Sequence, residues 1–332
     1  MNTVRRTIAA VTASVMCLLG TSATGMAPFV SVTASAEDKL TYGVLTFAVN
    51  NEGTITITGC DETAKEVEIP AEIYGMPVTK IGWNAFSNCI DLTSVTILEG
   101  ITEIDAEAFR DCTMLEFVVI PDSVRRIGYS CFEGTKILDS QTDLVKYVDK
   151  WAIGYNDYCG SGGEEGIGAE IVIKDGTVGI ANYAFGYLNQ SIGWWMMPED
   201  DAYGPSSVMF PDSLKYIGDG AFSEAHLLEH IDLPENLETI GWGAFMHSAL
   251  SSISIPENVT KISEQAFGNC ENLTGVIIPE SVTVIDNRAF DGCIGLTEIV
   301  IPESVTEIGS YAFKGCIALR YLTCPSPRAP CG

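Results

Sequence analysis

The chain has 332 residues, 46% of them hydrophobic and 9% aromatic, so it can bury an extended core and lacks the composition of a disordered chain. Its formal net charge of −26 repels phosphate backbones and anionic lipid, which sets nucleic acid aside and favours a neutral or basic partner.

Residues 1–36 carry Arg5 and Arg6, then a mostly apolar run through Ile8, Val11, Val15, Leu18 and Leu19, then Ala34-Ser35-Ala36. That order predicts a secretory signal peptide with a small-x-small cleavage site. The run is broken by Thr, Ser and Gly and no stop-transfer pattern succeeds it, so no stable membrane span is expected. Cys17, preceded by Ser14-Val15-Met16, makes a poor lipoprotein signal. The segment contains no acid, so its removal leaves a still more acidic exported product. Residues 37–63 contain YGVLTFAV, NNEG and TITITG, which predict a β-hairpin around an Asn/Gly turn, placed to cap the N-terminal end of a stacked array.

From residue 64 onward the chain repeats. The stretch IPESVTVIDNRAFDGC at 278–293 returns as IPESVTEIGSYAFKGC at 301–316, with eleven of sixteen positions identical. Aligned on Ala-Phe, phenylalanine recurs at Phe86, Phe109, Phe132, Phe185, Phe222, Phe245, Phe267, Phe290 and Phe313, and six of the eight intervals are 22 or 23 residues. Nine turns are therefore legible. In the shared pattern L-x-x-I-x-I-P-x-S-V-x-x-I-G-x-x-A-F-x-x-C, the first third alternates with period two and predicts a short strand closed by proline. The A-F-x-x-C part predicts a tight helical or 3-10 turn, because the period leaves no room for a long helix. One such coil cannot bury both faces alone, so the coils must stack, with parallel strands about 4.8 Å apart. Val95 with Ile97, Val118 with Ile120, Ile171 with Ile173, Ile231 with Leu233, Ile253 with Ile255, Val276 with Ile278, and Ile299 with Ile301 are expected to face inward, beside a stack of the phenylalanines.

This pattern, over about residues 64–324, resembles the BspA-like leucine-rich repeat of bacterial secreted and cell-surface proteins. The resemblance implies a repeat solenoid, a right-handed leucine-rich-repeat superhelix of the β-rich α/β class. It also implies extracellular protein or glycan binding or adhesion, and it brings no catalytic residue and no cofactor. A structural spacer for a further C-terminal domain is the alternative, and a secreted hydrolase the third class.

Two insertions break the period, near 134–169 and 187–206. In the first, Val145 to Ile153 predicts an extra strand or hairpin before a Gly-rich loop. The second, YLNQSIGWWMMPEDDAYGPS, sets Trp194 and Trp195 beside acids. These indoles either anchor a partner or fold back over the side of the solenoid. At the far end Cys324-Pro325 stands where Ile-Pro recurs, and 325–332 is expected to be an irregular tail, of a truncated chain or one capped by another domain.

Cys89, Cys112, Cys270, Cys293 and Cys316 share one slot of the repeat. Other coils fill it with Leu188, Ala225 or Ser248, which points to buried free thiols rather than disulfides or zinc ligands. His226, His230 and His247 lie in two adjacent turns with no recognisable triad, and the acids at 162–166 and 198–201 lack a calcium-loop spacing. The outward row of the strand ladder, Thr96, Val119, Val172, Met209, Asp232, Ser254, Ile277 and Val300, is apolar in its middle, and Phe117 joins it. Phe117, Val119, Val172 and Met209, with Trp194 and Trp195, are the candidate binding residues. The bland alternative is that β-branched residues there only stabilise the ladder.

Overall fold

The structure, a computed structural model, describes residues 40–155, 168–186 and 204–323. The predicted signal peptide and the Trp194/Trp195 segment lie outside the described residues.

Two parallel ladders run along the solenoid. In the first, Glu66–Ile69, Ser94–Ile97 and Phe117–Val119 pair in register, with Val67 opposite Val95 and Val95 opposite Val118. Glu170–Val172 pairs with Ser207–Met209, Ser252–Ser254 with Gly275–Ile277, and Glu298–Val300 with Tyr321–Thr323, all parallel. Period-two alternation sends Val95, Val118, Ile171, Ile253 and Ile299 into the core and their neighbours outward. Leu233, Val276 and Ile278 are only partly buried against that core. Each closing proline still serves as an acceptor: the N–H groups of Val124, Leu214, Leu237, Val259, Val282 and Val305 bond the carbonyl of the proline three residues earlier. A residue with no N–H loses nothing in that role.

The second ladder is built by the I-G segments, with Ile81, Ile104 and Ile127 in register at one end, Ile180, Ile217 and Ile240 in the middle, and Ile262, Ile285 and Ile308 at the other end. Glycine comes after five of these nine isoleucines, and at some of them the coils approach closely. A Cβ on Gly128 would lie 2.2 Å from the backbone nitrogen of Ala106, and one on Gly241 would lie 2.6 Å from that of Asp219.

The A-F-x-x-C segments are tight turns, but their geometry is not helical. Two residues in each regular coil have left-handed backbone. One stands three places after the ladder isoleucine, as in Asn84, Glu107, Gln265 and Arg288, and the other two places after phenylalanine, as in Asn88, Asp111, His247 and Asn269. Side chains are disfavoured there, yet the turn is repaid between coils. Asn84 N–H donates to Ala106, Phe86 N–H to Ala108 and Asn88 N–H to Arg110, and the same three bonds recur along the stack. Among the described residues the one helix is Lys136–Asp139, inside the first insertion.

The phenylalanines stack. Phe86, Phe109 and Phe132 succeed one another at 4.9 and 5.3 Å, and Phe185, Phe222, Phe245, Phe267, Phe290 and Phe313 at 5.2–5.6 Å, with planes within 18° of parallel. Between Phe132 and Phe185 the first insertion adds a disguised coil. Val145–Val148 and Trp151–Tyr155 form an antiparallel hairpin, and its second strand joins the second ladder at Gly179-Ile180. Tyr155 stacks on Phe185 at 5.6 Å, and the buried Trp151 stacks on Tyr216 at 6.1 Å. Gly179 admits that indole, since a Cβ there would meet the ring at 2.4 Å.

At the N-terminal end Leu40–Tyr42, Leu45–Val49 and Ile55–Cys60 form an antiparallel meander whose last strand runs parallel to Met76–Ile81. The predicted hairpin is thus one of two, and its inner edge is already a rung of the second ladder.

Candidate functional site

On the first ladder Phe117 is 66% exposed, Val119 54%, and Val172 and Met209 59% each. Phe117 and Val119 project from one strand, and Val172 lies opposite Met209 in the next pair. The two pairs do not adjoin. After Phe117–Val119 the next coil enters as the helix Lys136–Asp139, with Ile137 N–H donating to Leu115, and the ladder is bridged by side chains instead. Asp149 Oδ2 accepts from Ile120 N–H at 2.9 Å, while Tyr147 Oη accepts from Lys174 N–H at 3.0 Å and its ring lies 4.0 Å from Lys174 Nζ. The face therefore carries two apolar patches with a polar, Tyr-containing bridge between them. Ile277 and Val300, both exposed, continue the outward row toward the C-terminal coils.

Two of the three histidines share a carboxylate. His226 Nε2 lies 3.0 Å from Glu224 Oε2, and His247 Nε2 lies 4.0 Å from Glu224 Oε1 and 3.2 Å from Asn269 Nδ2. A carboxylate thus does join two of them, because Glu224 and His247 occupy equivalent left-handed positions of successive turns. His230 stands apart from that pair, on the ladder side, with Nδ1 3.2 Å from Ser251 Oγ. The Glu224 pairs are solvent-exposed enough to be strongly screened. Among the described residues no group of three or more His, Cys, Asp or Glu is arranged to hold a metal ion, and no helix is long and apolar enough to cross a membrane.

The profile of the BspA type leucine-rich repeat region matches six copies here, over residues 57–157 and 204–320. The chain belongs to the BspA-type leucine-rich repeat family. No curated protein matches it. Among solved structures it is similar to a leucine-rich repeat protein from Bacteroides ovatus, with 22% identity, 87% of this chain and 89% of that one covered, and a TM-score of 0.30. It is similar to a leucine-rich cell surface protein from Faecalibacterium prausnitzii, with 21% identity, 89% and 97% covered, and a TM-score of 0.32. For the pneumococcal vaccine antigen PcpA the values are 15%, 86% and 81%, and 0.29. These scores add nothing to the family match and the repeat geometry, on which the fold rests.

The BspA-type repeat also explains its cysteine slot. The thiols of Cys112, Cys270, Cys293 and Cys316 donate to the carbonyls of Phe86, Phe245, Phe267 and Phe290 in the preceding coil, at 3.0–3.1 Å. Burial pushes the Cys112 thiol up to about 12 and the Cys270 thiol up to about 11. All seven cysteines among the described residues are free. Ser248, in the same slot, contacts Cys270 Sγ at 3.4 Å. Slot cysteines therefore serve the stacking of coils. What the sequence reading missed is a row of aromatic turn residues, Trp83, Tyr129 and Trp242, whose place in the repeat is a variable position and so carries no pattern.

Proposed function

We propose that this BspA-type protein is secreted or displayed at the cell surface and binds an extracellular protein or glycan, without catalysis. The observation that carries the reading is the run of large apolar side chains held outward on a rigid ladder. Phe117 with Val119 and Val172 with Met209 are the contact patches, and Trp194 and Trp195 are proposed to help hold the same partner. Exposed apolar surface of that kind on a soluble chain marks a contact site. The ladder fixes it in advance, so little ordering entropy is lost on binding. The predicted signal peptide and the acidic balance fit an exported product with a neutral or basic partner.

The test is a screen of the 37–332 product on immobilised extracellular proteins and a glycan array, then variants on whichever ligand binds. Phe117→Asp, and separately Trp194→Ala with Trp195→Ala, should each weaken binding about tenfold or more with the melting temperature unchanged. A large loss of stability in the double tryptophan variant assigns those indoles to the core, and binding indifferent to Phe117→Asp removes the ladder face from the reading.

A further inference from the structure

A second face of the molecule presents a different surface. The residue two places after each ladder isoleucine lies along one edge of the solenoid, as Trp83, Ala106, Tyr129, Asn182, Asp219 and Trp242 in successive coils and Glu264, Asn287 and Ser310 beyond them. The insertion does not interrupt this edge, because Asn182 N–H donates directly to the Ile127 carbonyl at 2.8 Å and Arg126 reaches Asp219 at 3.6 Å. Here the edge opens into a groove of about 360 Å³. Ala106 and Gly128 contribute almost no side chain to its lining, which leaves it open, while the rings of Trp83, Tyr129, Tyr183 and Trp242 supply aromatic surface. Tyr129 and Tyr183 meet edge to face at 6.2 Å, and Trp83 is 62% exposed.

The polar groups divide into two sets. Asp105 and Asp219 are already engaged: Arg126 lies 3.1 Å from Asp105 and 3.6 Å from Asp219, Lys80 lies 2.8 Å from Asp105, both cations also pair with Glu103, and Asn182 Nδ2 donates to Asp219 Oδ2 at 3.0 Å. Asp219 Oδ1 accepts from Trp242 N–H at 2.9 Å, which fixes the carboxylate in place. By contrast, the indole N–H groups of Trp83 and Trp242 and the hydroxyls of Tyr129 and Tyr183 make no hydrogen bond to any described residue. The groove thus offers flat aromatic faces, unpaired donors, and carboxylate and amide oxygens held in place by ion pairs and hydrogen bonds.

We propose that this groove is a binding site for a neutral oligosaccharide. A sugar ring presents an apolar C–H face to stack on an aromatic ring and a rim of hydroxyls that both donate and accept. The carboxylates here already hold Arg126 and Lys80 in ion pairs, and the net charge of −26 disfavours uronate or sulfated polymers. Every contributing group stands on a coil whose backbone is bonded to its neighbours, so the site is built before the ligand arrives. The site uses none of the ladder-face residues and does not depend on them.

The test is native affinity electrophoresis of the 37–332 product through gels containing soluble β-glucan, mannan, xylan or galactan, with polygalacturonate as the charged comparator. Calorimetry with the oligosaccharide of the retarding polymer then gives the affinity. At least one neutral polymer should retard the protein. Trp83→Ala together with Trp242→Ala should weaken binding at least tenfold, and Trp83→Ala alone, at an exposed position, should weaken it with an unchanged melting temperature. Phe117→Asp should leave it unaltered, which separates this site from the ladder face. Retardation by none of the neutral polymers, by polygalacturonate alone, or equally after loss of both indoles overturns the proposal. So does a protein ligand from the screen whose binding is lost with Trp83 while no sugar binds.

Discussion

The coils from Phe222 to Phe313 and the stretch between Phe132 and Phe185 solve one problem in two ways. In the regular run each interior ring lies between two others at about the same distance, each coil lends its neighbour the same backbone contacts, and from Cys270 onward a thiol contact joins them. In the interrupted stretch the pattern words are gone, yet Tyr155 stands 23 residues after Phe132 and takes the ring position against Phe185. Trp151 enters the core beside Tyr216, and Gly179 yields the space. The difference shows that what the stack requires is one aromatic ring and one inward rung per rise of a strand. The particular residues are negotiable provided volume is conserved.

The largest test of that comparison is truncation of an interior ring in each region. Phe245→Ala and Trp151→Ala should each cost about 3–5 kcal/mol, because both side chains are fully enclosed. Their denaturation profiles should differ. Stability in a solenoid is a sum of coil and nearest-neighbour terms, so a weakened joint at Trp151 should split the unfolding monitored by circular dichroism into two steps. Phe245→Ala lies among regularly stacked coils and should lower one transition. Equal splitting by both variants would remove any special standing of the insertion. A second test, of smaller effect, uses glycine. Gly128→Ala should cost about 1–3 kcal/mol by forcing coils apart, since the new Cβ falls 2.2 Å from backbone. Gly154→Ala, in the hairpin, meets its nearest atom, the Ala184 carbonyl oxygen, at 3.6 Å and should be close to neutral in the same urea titration.

How much of this was legible depends on whether a feature is local or belongs to the stack. The ladder strands and the Phe stack come from period-two alternation and from Ala-Phe recurring every 22 or 23 residues, both properties of the string. The left-handed turns were not legible, because Glu107, Gln265 and Arg288 are poor choices for that backbone taken alone. Only bonds such as Glu107 N–H to Tyr129, made after coils stack, offset the strain. Tyr155 was hidden because Gly-Tyr replaces Ala-Phe. At the candidate site, alternation correctly sent Phe117, Val119, Val172 and Met209 outward. The helix that separates the two pairs answers to Ile137 meeting Leu115, a contact between coils that no single-coil pattern announces.

The smallest expected effect concerns the thiols, which the regular run carries from Cys270 onward and the interrupted coil at Phe185 lacks in its slot. Cys270 starts from an ordinary value of 9.0 and is pushed up to about 11, chiefly by burial; hydrogen bonding to Ser248 acts in the opposite direction. The fold therefore keeps this thiol protonated where the unfolded chain would release the proton. Its contribution to stability is complete below about pH 9 and is lost as pH rises toward about 11. Lysines and tyrosines titrate over the same range, so the informative quantity is a difference between variants. Cys270→Ser keeps a donor for the Phe245 carbonyl and cannot ionise there, so its stability should fall less steeply than wild type between about pH 8.5 and 10.5. Cys270→Ala should also flatten the slope, and in addition should lose about 1 kcal/mol at neutral pH with the missing hydrogen bond. Parallel slopes in all three proteins, with Cys270→Ala as stable as wild type at neutral pH, would mean that the slot cysteines fill space and that their bonds to the preceding phenylalanine carbonyls carry no weight in holding one coil to the next.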